Sequence, residues 1–341
     1  MTRILVTGAT GFVGSHAIEA LMGAEGAETI AACRDPARLL PGFEGEVRQG
    51  DLEESDYVAR AVRGVEVLVH AAAWTSAWGH AALSDAHFLA PSLALIDAAV
   101  AAGVRRVIFL SSTSVAAPGR SADPMSLAEA GRLGFWPHLR NVARIEAHMR
   151  DLAGRGGAEM TVLRVGLFAG RRYAIGLLPL LVPRLGTHLV PWVAGGRTTL
   201  PIVAGEDIGQ AFALAALARR LPGYQGFNIV GPSKPRARAV IEHLAREYSL
   251  PAPHFSVPFP VARGFAHLME LIDPLVPWEP LVTRSVVHLM EETGATNTRA
   301  RELLGYRPRV GWKEAIALQM EEMRAKQRGA MAMVRPLPGD R

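Results

Sequence analysis

Residues 4–14 read ILVTGATGFVG, an apolar, β-rich run that passes straight into glycines at positions 8, 11 and 14 and then into a helical pattern. That spacing constrains the fold more than any other feature. In a strand–turn–helix unit, Gly8 provides the tight turn, Gly11 lets backbone approach a pyrophosphate, and Gly14 permits close helix-to-strand packing, with the helix N-terminus facing the phosphate. An ordinary strand-to-helix turn is the competing reading. Here the required element stands on each side of the glycines.

The rest of the first half repeats the alternation. Residues 29–33, 67–70, 107–111 and 161–165 are short runs, apolar almost throughout, and the segments 11–22, 55–63, 86–102 and about 138–153 between the runs carry alanine, leucine and glutamate in helical patterns. Strands of this kind are covered on both faces, which predicts an α/β fold with a Rossmann-type doubly wound parallel sheet. Beyond residue 165 the texture changes to apolar segments punctuated by proline and glycine. The organisation expected for the 341 residues is a dinucleotide-binding domain over 1–165 with later returns near 198–230, a smaller and partly interleaved C-terminal substrate lobe over 166–328, and a flexible tail over 329–341.

Composition removes several alternatives. An apolar fraction of 49% with 20% charged residues excludes wholesale disorder. A single cysteine, Cys33, excludes an internal disulfide or a cysteine-rich metal site, so no metal is expected and a reducing compartment is. The formal charge is +5, and all basic residues are arginine except Lys234, Lys313 and Lys326. The arginines are scattered, so no nucleic-acid partner is expected.

The N-terminal MTRILVTG lacks the features of a signal peptide, and the apolar window 175–196 is broken by Pro179, Pro183, Arg184, His188 and Pro191, so no spanning helix is predicted. The expected location is cytoplasmic, or peripheral to the inner membrane face. Residues 263–290, rich in Leu, Met, Phe, Trp and Val, form two Pro-broken helical pieces that line an apolar pocket, contact lipid, or simply pack as core.

Through TGATGFVG the sequence resembles the extended short-chain dehydrogenase/reductase family. The likeness continues through Gly50-Asp51-Leu52, His70-Ala71-Ala72-Ala73, SSTSVA at 111–116, Arg164-Val165-Gly166 and NTRARELLGYRP at 297–308, and so covers nearly the whole chain. SSTSVAAP and the distal apolar segment are most similar to the branch that holds 3β-hydroxysteroid dehydrogenases and related lipid-active reductases. The resemblance implies that Gly8, Thr10, Gly11, Phe12, Val13, Gly14, Asp51, Leu52, Ala71, Ala72 and Ala73 contact the cofactor.

Charge at the end of the second strand bears on which cofactor this is. An NAD-type site places a carboxylate there for the ribose 2′-hydroxyl. This chain reads Ala32-Cys33-Arg34-Asp35-Pro36, with Arg38 a turn later. Arginine pairs with phosphate in a fork, so Arg34 and Arg38 predict NADP(H). Asp35 is the competing NAD residue, but before a proline it reads as a turn or helix-start residue.

The family's catalytic Ser, Tyr and Lys are incompletely matched. Ser112 falls on the serine position, although a serine at a strand end can also simply cap the following turn; no lysine precedes Lys234, and Tyr57, Tyr173 and Tyr224 lack the YxxxK spacing. Two registers fit FWPHLRNVARIEAHMRD at 135–151. One aligns Glu146 with the family's helix glutamate and puts His138 and Val142 on the Tyr and Lys positions; the other puts Arg140 and Arg144 there. Arginine stays protonated, whereas histidine, with a reference pKa of about 6.5, can donate near neutrality.

The expected catalytic pair is therefore Ser112 and His138. A helix-start histidine without a chemical role is the alternative, and Tyr173 is a further candidate. His87 is read either as structural or as touching the active-site water. Trp74, Trp78, Phe135 and Trp136 are expected at the substrate mouth, where aromatics favour an apolar ligand or pack beneath loops.

The function expected is an NADPH-dependent reductase or dehydrogenase for a carbonyl on a bulky hydrophobic molecule, such as a 3-oxo sphingolipid or a steroid-like ring system. The alternative is an NADP(H)-binding sensor or assembly protein without hydride transfer. The partners expected are a hydrophobic small-molecule or lipid substrate, a second copy in a homodimer, and a membrane surface.

Overall fold

The computed structural model describes residues 1–118, 123–127, 130–172, 176–275, 280 and 282–334. The five apolar runs become β1 (Thr2–Thr7), β2 (Ala27–Cys33), β4 (Val67–His70), β5 (Arg106–Ser112) and β6 (Glu159–Val165), joined by β3 (Glu46–Gln49) and β10 (Tyr224–Ile229). These seven strands form one parallel sheet in the order β10-β6-β5-β4-β1-β2-β3. β1 and β4 are neighbours although β2 and β3 intervene in sequence. The order therefore reverses beside β1, the position where open α/β sheets leave a crevice at their C-terminal edge.

Helices cover both faces. On one, α1 (Phe12–Met22), α7 (Gly205–Leu217) and α11 (Thr298–Leu304) contribute Ile18, Phe212 and Leu304 to a core with Ile4, Val69 and Leu163. On the other, α2 (Ser55–Ala61), α4 (Ala90–Ala101) and α5 (Pro137–Arg155) pack Val58, Ile96 and Ile145 against Leu68, Phe109 and Val162. Strands buried from both sides have no polar face, which is why they read as unbroken apolar runs.

The single helix predicted over 86–102 departs from that reading. It is α3 (Ala81–Ser84), a π-helical turn over Asp85–Leu89, and α4. Pro91 has no N–H to donate and its ring would crowd the His87 carbonyl in a regular α-helix, so the chain widens ahead of it. The stretch Ala81–Ala101 is long and apolar enough to cross a membrane. Here Phe88, Leu89, Leu95, Ile96 and Ala99 are buried in the core between α2 and α5.

The second lobe carries two small parallel pairs, β7 (Leu167–Ala169) with β9 (Ile202–Ala204) and β8 (Trp192–Val193) with β11 (Ser256–Val257). Around them lie α6 (Leu177–Gly186), α8 (Ala237–Tyr248), α9 (Phe259–Ile272), α10 (Arg284–Leu289) and α12 (Trp312–Val334). Leu178, Trp192, Ile241 and Ile316 share its core. α12 continues to Val334, into the segment read as a tail from residue 329.

Candidate active site

The site is built on the C-terminal edge of the sheet. Between β1 and α1 the chain turns at Gly8, whose φ is +66°, and the N–H of Gly11 donates to the Gly8 carbonyl at 2.8 Å. A Cβ on Gly8 would lie 2.7 Å from the backbone of Ala72, and one on Gly14 would lie 2.1 Å from the Gly8 carbonyl oxygen. Both positions exclude any side chain. Gly11 caps α1, so the N–H groups of Phe12 and Val13 in its first turn lie ahead of the first helical bond, from Ser15 to Gly11. Thr10 is half-buried beside them.

β1 and β4 are locked together next to this turn. Thr7 Oγ1 and His70 Nδ1 are 2.8 Å apart, His70 Nε2 and Ser92 Oγ are 2.9 Å apart, and the N–H of Ala72 donates to Thr7 Oγ1 at 3.4 Å. Burial pushes the His70 imidazole down to about 4, so it bridges the two hydroxyls as a neutral ring. Ala71, Ala72 and Ala73 follow β4 along the same edge, the first two half-buried and Ala73 exposed. Bare backbone at Gly8, close-packed alanines and a helix N-terminus fit a dinucleotide pyrophosphate.

At the end of β2, Arg34 is 81% exposed in its side chain, and its Nη1 lies 3.8 Å from Asp51 Oδ2. Asp35 is the N-cap of a 3₁₀ turn over Pro36–Arg38, and its Oδ1 accepts the N–H of Ala37 at 3.1 Å. Arg38 ends that turn, exposed. Asp51 accepts the N–H of Glu53 at 3.1 Å and Leu52 is half-buried beside it.

Ser112 ends β5, and its Oγ accepts the N–H of Ser114 at 3.2 Å. That bond fixes the oxygen, and among the described residues the hydroxyl hydrogen has no acceptor. Behind it the Ser111 hydroxyl donates to Glu146 Oε1 at 2.5 Å, and Arg164 clamps the same carboxylate through Nε at 2.9 Å and Nη2 at 2.5 Å. Arg164 Nη2 also donates to the Ser126 carbonyl at 2.8 Å. The serine strand end is thus tied to α5 and β6 by a buried ion pair.

His138 stands at the second position of α5 against Phe88, with ring centroids 4.8 Å apart, and near Trp136 at 6.4 Å. Its Nδ1 is enclosed without a hydrogen-bond partner among the described residues. Burial pushes the ring down to about 4, and a hydrogen bond to the Trp74 backbone only partly offsets this. The apolar surroundings thus disfavour the imidazolium form expected of His138 near neutrality.

Arg140 and Arg144, the alternative register, both turn to Asp85, at 3.1 and 3.6 Å, and Asn141 Nδ2 joins them at 2.8 Å. His87 bonds Glu53 Oε1 through Nδ1 at 2.6 Å. Trp136 Nε1 donates to the Ser76 carbonyl at 2.8 Å, which stitches the start of α5 to the loop holding Trp74 and Trp78. Tyr173 lies outside the described residues.

Sequence reasoning did not single out His288. Its Nε2 lies 2.9 Å from the Ser114 carbonyl and its Nδ1 2.7 Å from Glu291 Oε2, while its ring meets Phe135 edge-on. Ser285 of the same helix, α10, donates to the Ala77 carbonyl. The second lobe thereby closes on the loops after β4 and β5, a contact across more than 170 residues that no local pattern announces.

The sheet order and the glycine turn define a dinucleotide-binding protein of the Rossmann type. Residues 4–230 match the NAD dependent epimerase/dehydratase family, to which the chain belongs. It is 28% identical over 324 residues, 92% of this chain and 94% of the relative, to the 4-hydroxy-2-methyl-3-oxo-4-farnesyl-3,4-dihydroquinoline-1-oxide ketoreductase of Stigmatella aurantiaca. A 3 beta-hydroxysteroid dehydrogenase/Delta 5-->4-isomerase of Mycobacterium tuberculosis is 34% identical over 127 residues, 35% of this chain and 34% of that protein. Among solved structures, gox2253 superposes with a TM-score of 0.75 at 21% identity, covering 96% of this chain and 99% of that one. MoeE5 in complex with UDP-glucuronic acid and NAD gives 0.70 at 22% identity, covering 96% and 100%.

Proposed function

We propose that this enzyme uses NADPH to reduce a ketone carried on a bulky apolar molecule. The observation that carries the reading is at Ser112, whose oxygen is held by the Ser114 N–H while its hydroxyl hydrogen has no acceptor among the described residues. Gly8, Thr10, Gly11, Phe12, Val13, Gly14, Ala71, Ala72 and Ala73 would hold the dinucleotide's phosphates and nicotinamide half, and Asp51 and Leu52 its adenine side. Arg34 and Arg38 would pair with a 2′-phosphate. When bound, the reduced nicotinamide supplies hydride.

Ser112 donates a hydrogen bond to the carbonyl oxygen, which strengthens as negative charge grows there. Burial pushes His138 toward its neutral form, and we assign the proton of the new alkoxide to water relayed through the Ser112 hydroxyl. Trp74, Phe135 and Trp136 are half-buried about the loops after β4 and ahead of α5, and they suit a greasy substrate. The full-length likeness to a ketoreductase whose named substrate bears a farnesyl chain supports the same substrate class.

A cofactor-binding protein without hydride transfer is the second reading, favoured because α5 offers neither tyrosine nor lysine and its His138 is neutral. One experiment separates the two: NADPH oxidation by the purified protein with long-chain or prenylated ketones, for the parent and for Ser112→Ala. Turnover that falls about 10²- to 10³-fold in the variant, with NADPH affinity retained, supports the reductase. Tight NADPH binding without turnover of any such ketone supports the second reading.

A further inference from the structure

The bond that fixes Ser112 is itself anchored from the second lobe. Ser112 Oγ accepts the N–H of Ser114, and the carbonyl of that same Ser114 lies 2.9 Å from His288 Nε2. The 3₁₀ turn Thr113–Ala116 that follows β5 is therefore gripped at one residue from two sides. A peptide carbonyl only accepts, so His288 carries a hydrogen on Nε2 and donates it there.

His288 is firmly seated. It is 3% exposed, its ring meets Phe135 edge-on at 5.2 Å and Trp136 edge-on at 6.4 Å, and its Nδ1 lies 2.7 Å from Glu291 Oε2. With Nε2 used by Ser114, the contact at Nδ1 is a hydrogen bond only while one proton lies between the imidazole and the carboxyl. Glu291 Oε1 accepts from Arg263 Nη1 of α9 at 3.3 Å, which holds the carboxyl from its other side. One turn earlier on α10, Ser285 donates to the Ala77 carbonyl in the loop after β4. A polar chain thus runs from Arg263 through Glu291, His288 and Ser114 to Ser112. An apolar side chain would fill the space against Phe135 and Trp136 without desolvating an imidazole and a carboxyl, so what the polar chain adds is direction.

We propose that His288 is the positioning residue of Ser112. Acting through the Ser114 carbonyl, it sets the turn that presents the serine hydroxyl, while Glu291 holds the imidazole in the orientation that donates through Nε2. The role rests on the assignment of Ser112 to the substrate carbonyl. His288 takes no part in proton transfer, since its Nε2 hydrogen is occupied by Ser114. The second lobe then completes the geometry of the reacting serine as well as walling the substrate.

The test is a double-mutant cycle on the full chain, with Ser112→Ala and His288→Leu made singly and together and His288→Gln as the conservative variant. NADPH oxidation with a prenylated or long-chain ketone reads turnover, and amide hydrogen exchange of the proteins without ligand reads the turn itself. His288→Leu is expected to lower kcat roughly 10- to 100-fold while KM for the ketone moves less than about threefold, the signature of a misoriented catalytic group. His288→Gln, whose amide still donates to the Ser114 carbonyl, is expected to recover most of that loss. In the Ser112→Ala background His288→Leu should cost nothing further, whereas a merely structural histidine would cost the same in both backgrounds. The Ser114 amide should exchange more than about tenfold faster in His288→Leu, with the amides of β1 and α1 unchanged to show that the variant is folded. Parental kcat in folded His288→Leu beside an impaired Ser112→Ala overturns the positioning role and leaves the reading of Ser112 standing, as do additive losses in the cycle. Parental turnover by Ser112→Ala overturns both. Unchanged exchange at Ser114 in His288→Leu overturns the role whichever ketone is used.

Discussion

Asp35 spends its carboxylate on its own turn, accepting the N–H of Ala37 at 3.1 Å, while the neighbouring Arg34 side chain is 81% exposed at the strand end. An aspartate committed to a cap is poorly placed to discriminate for a ribose hydroxyl. Arg34→Ala is therefore expected to weaken NADPH binding by about 10- to 100-fold, the loss of one charge-assisted hydrogen bond of about 1.5–3 kcal/mol, and to leave NADH nearly unchanged. Titration calorimetry with both cofactors reads this directly. Equal affinity of the parent for the two would remove the assignment.

Two glycines should respond in opposite directions to the same added methyl. A Cβ on Gly14 would sit 2.1 Å from the Gly8 carbonyl oxygen, whereas one on Gly154, inside α5, meets nothing within 4 Å. Gly14→Ala should cost about 1–3 kcal/mol of stability or more and abolish cofactor binding. Gly154→Ala should stabilise by about 0.5–1 kcal/mol through the unfolded chain. Thermal melts with and without NADPH distinguish the two outcomes.

Glu146 and Arg164 form a buried ion pair that also holds Ser111 and the Ser126 carbonyl. Glu146→Ala strands a buried guanidinium and should cost about 3–5 kcal/mol. By contrast, Glu53 pairs with the exposed His87, and Glu53→Ala should cost less than about 1 kcal/mol. Urea denaturation of both variants checks the difference, and similar losses would mean that the buried pair contributes no more than a surface contact.

The sheet was largely legible because strands buried on two faces announce themselves as apolar runs, and five of them lie where residues 4–7 to 161–165 indicate. β3 escaped because Glu46–Gln49 is an edge strand of sequence EVRQ with little burial. The glycine turn was legible because its glycines serve local geometry. His138 shows the limit: its identity and its helix-start position are visible in sequence, but its titration is set by Phe88 and Trp136 packing around it, a tertiary fact. The outward face of α9, where Val261, Phe265, Leu268 and Leu271 are exposed, was illegible for a related reason, since an apolar stripe reads the same whether it faces a core or solvent.

Buried His70 and half-buried His138, whose Nδ1 is enclosed, make the stability of this protein depend on pH in a defined window. His70 and His138 are both pushed down to about 4 from 6.5 by burial, so in the unfolded chain each takes up a proton on acidification before the folded chain does. The stability they permit is fully present above about pH 6.5 and is lost as pH falls from there toward 4, because the unfolded state binds the extra protons. For His70, a difference of this size corresponds to about 3 kcal/mol by the lower end of the window. Melting temperature should therefore drop between pH 6.5 and 4, and His70→Gln, which can still reach Thr7 and Ser92 but cannot titrate, should flatten part of that slope. The same neutral state predicts that turnover near neutrality does not follow His138: substituting His138→Gln should leave the shape of the rate profile between pH 6 and 8 unchanged. A parent rate that declines through pH 6 to 7 and loses that decline in His138→Gln would restore the histidine as the proton donor and overturn the assignment of that role to water through Ser112.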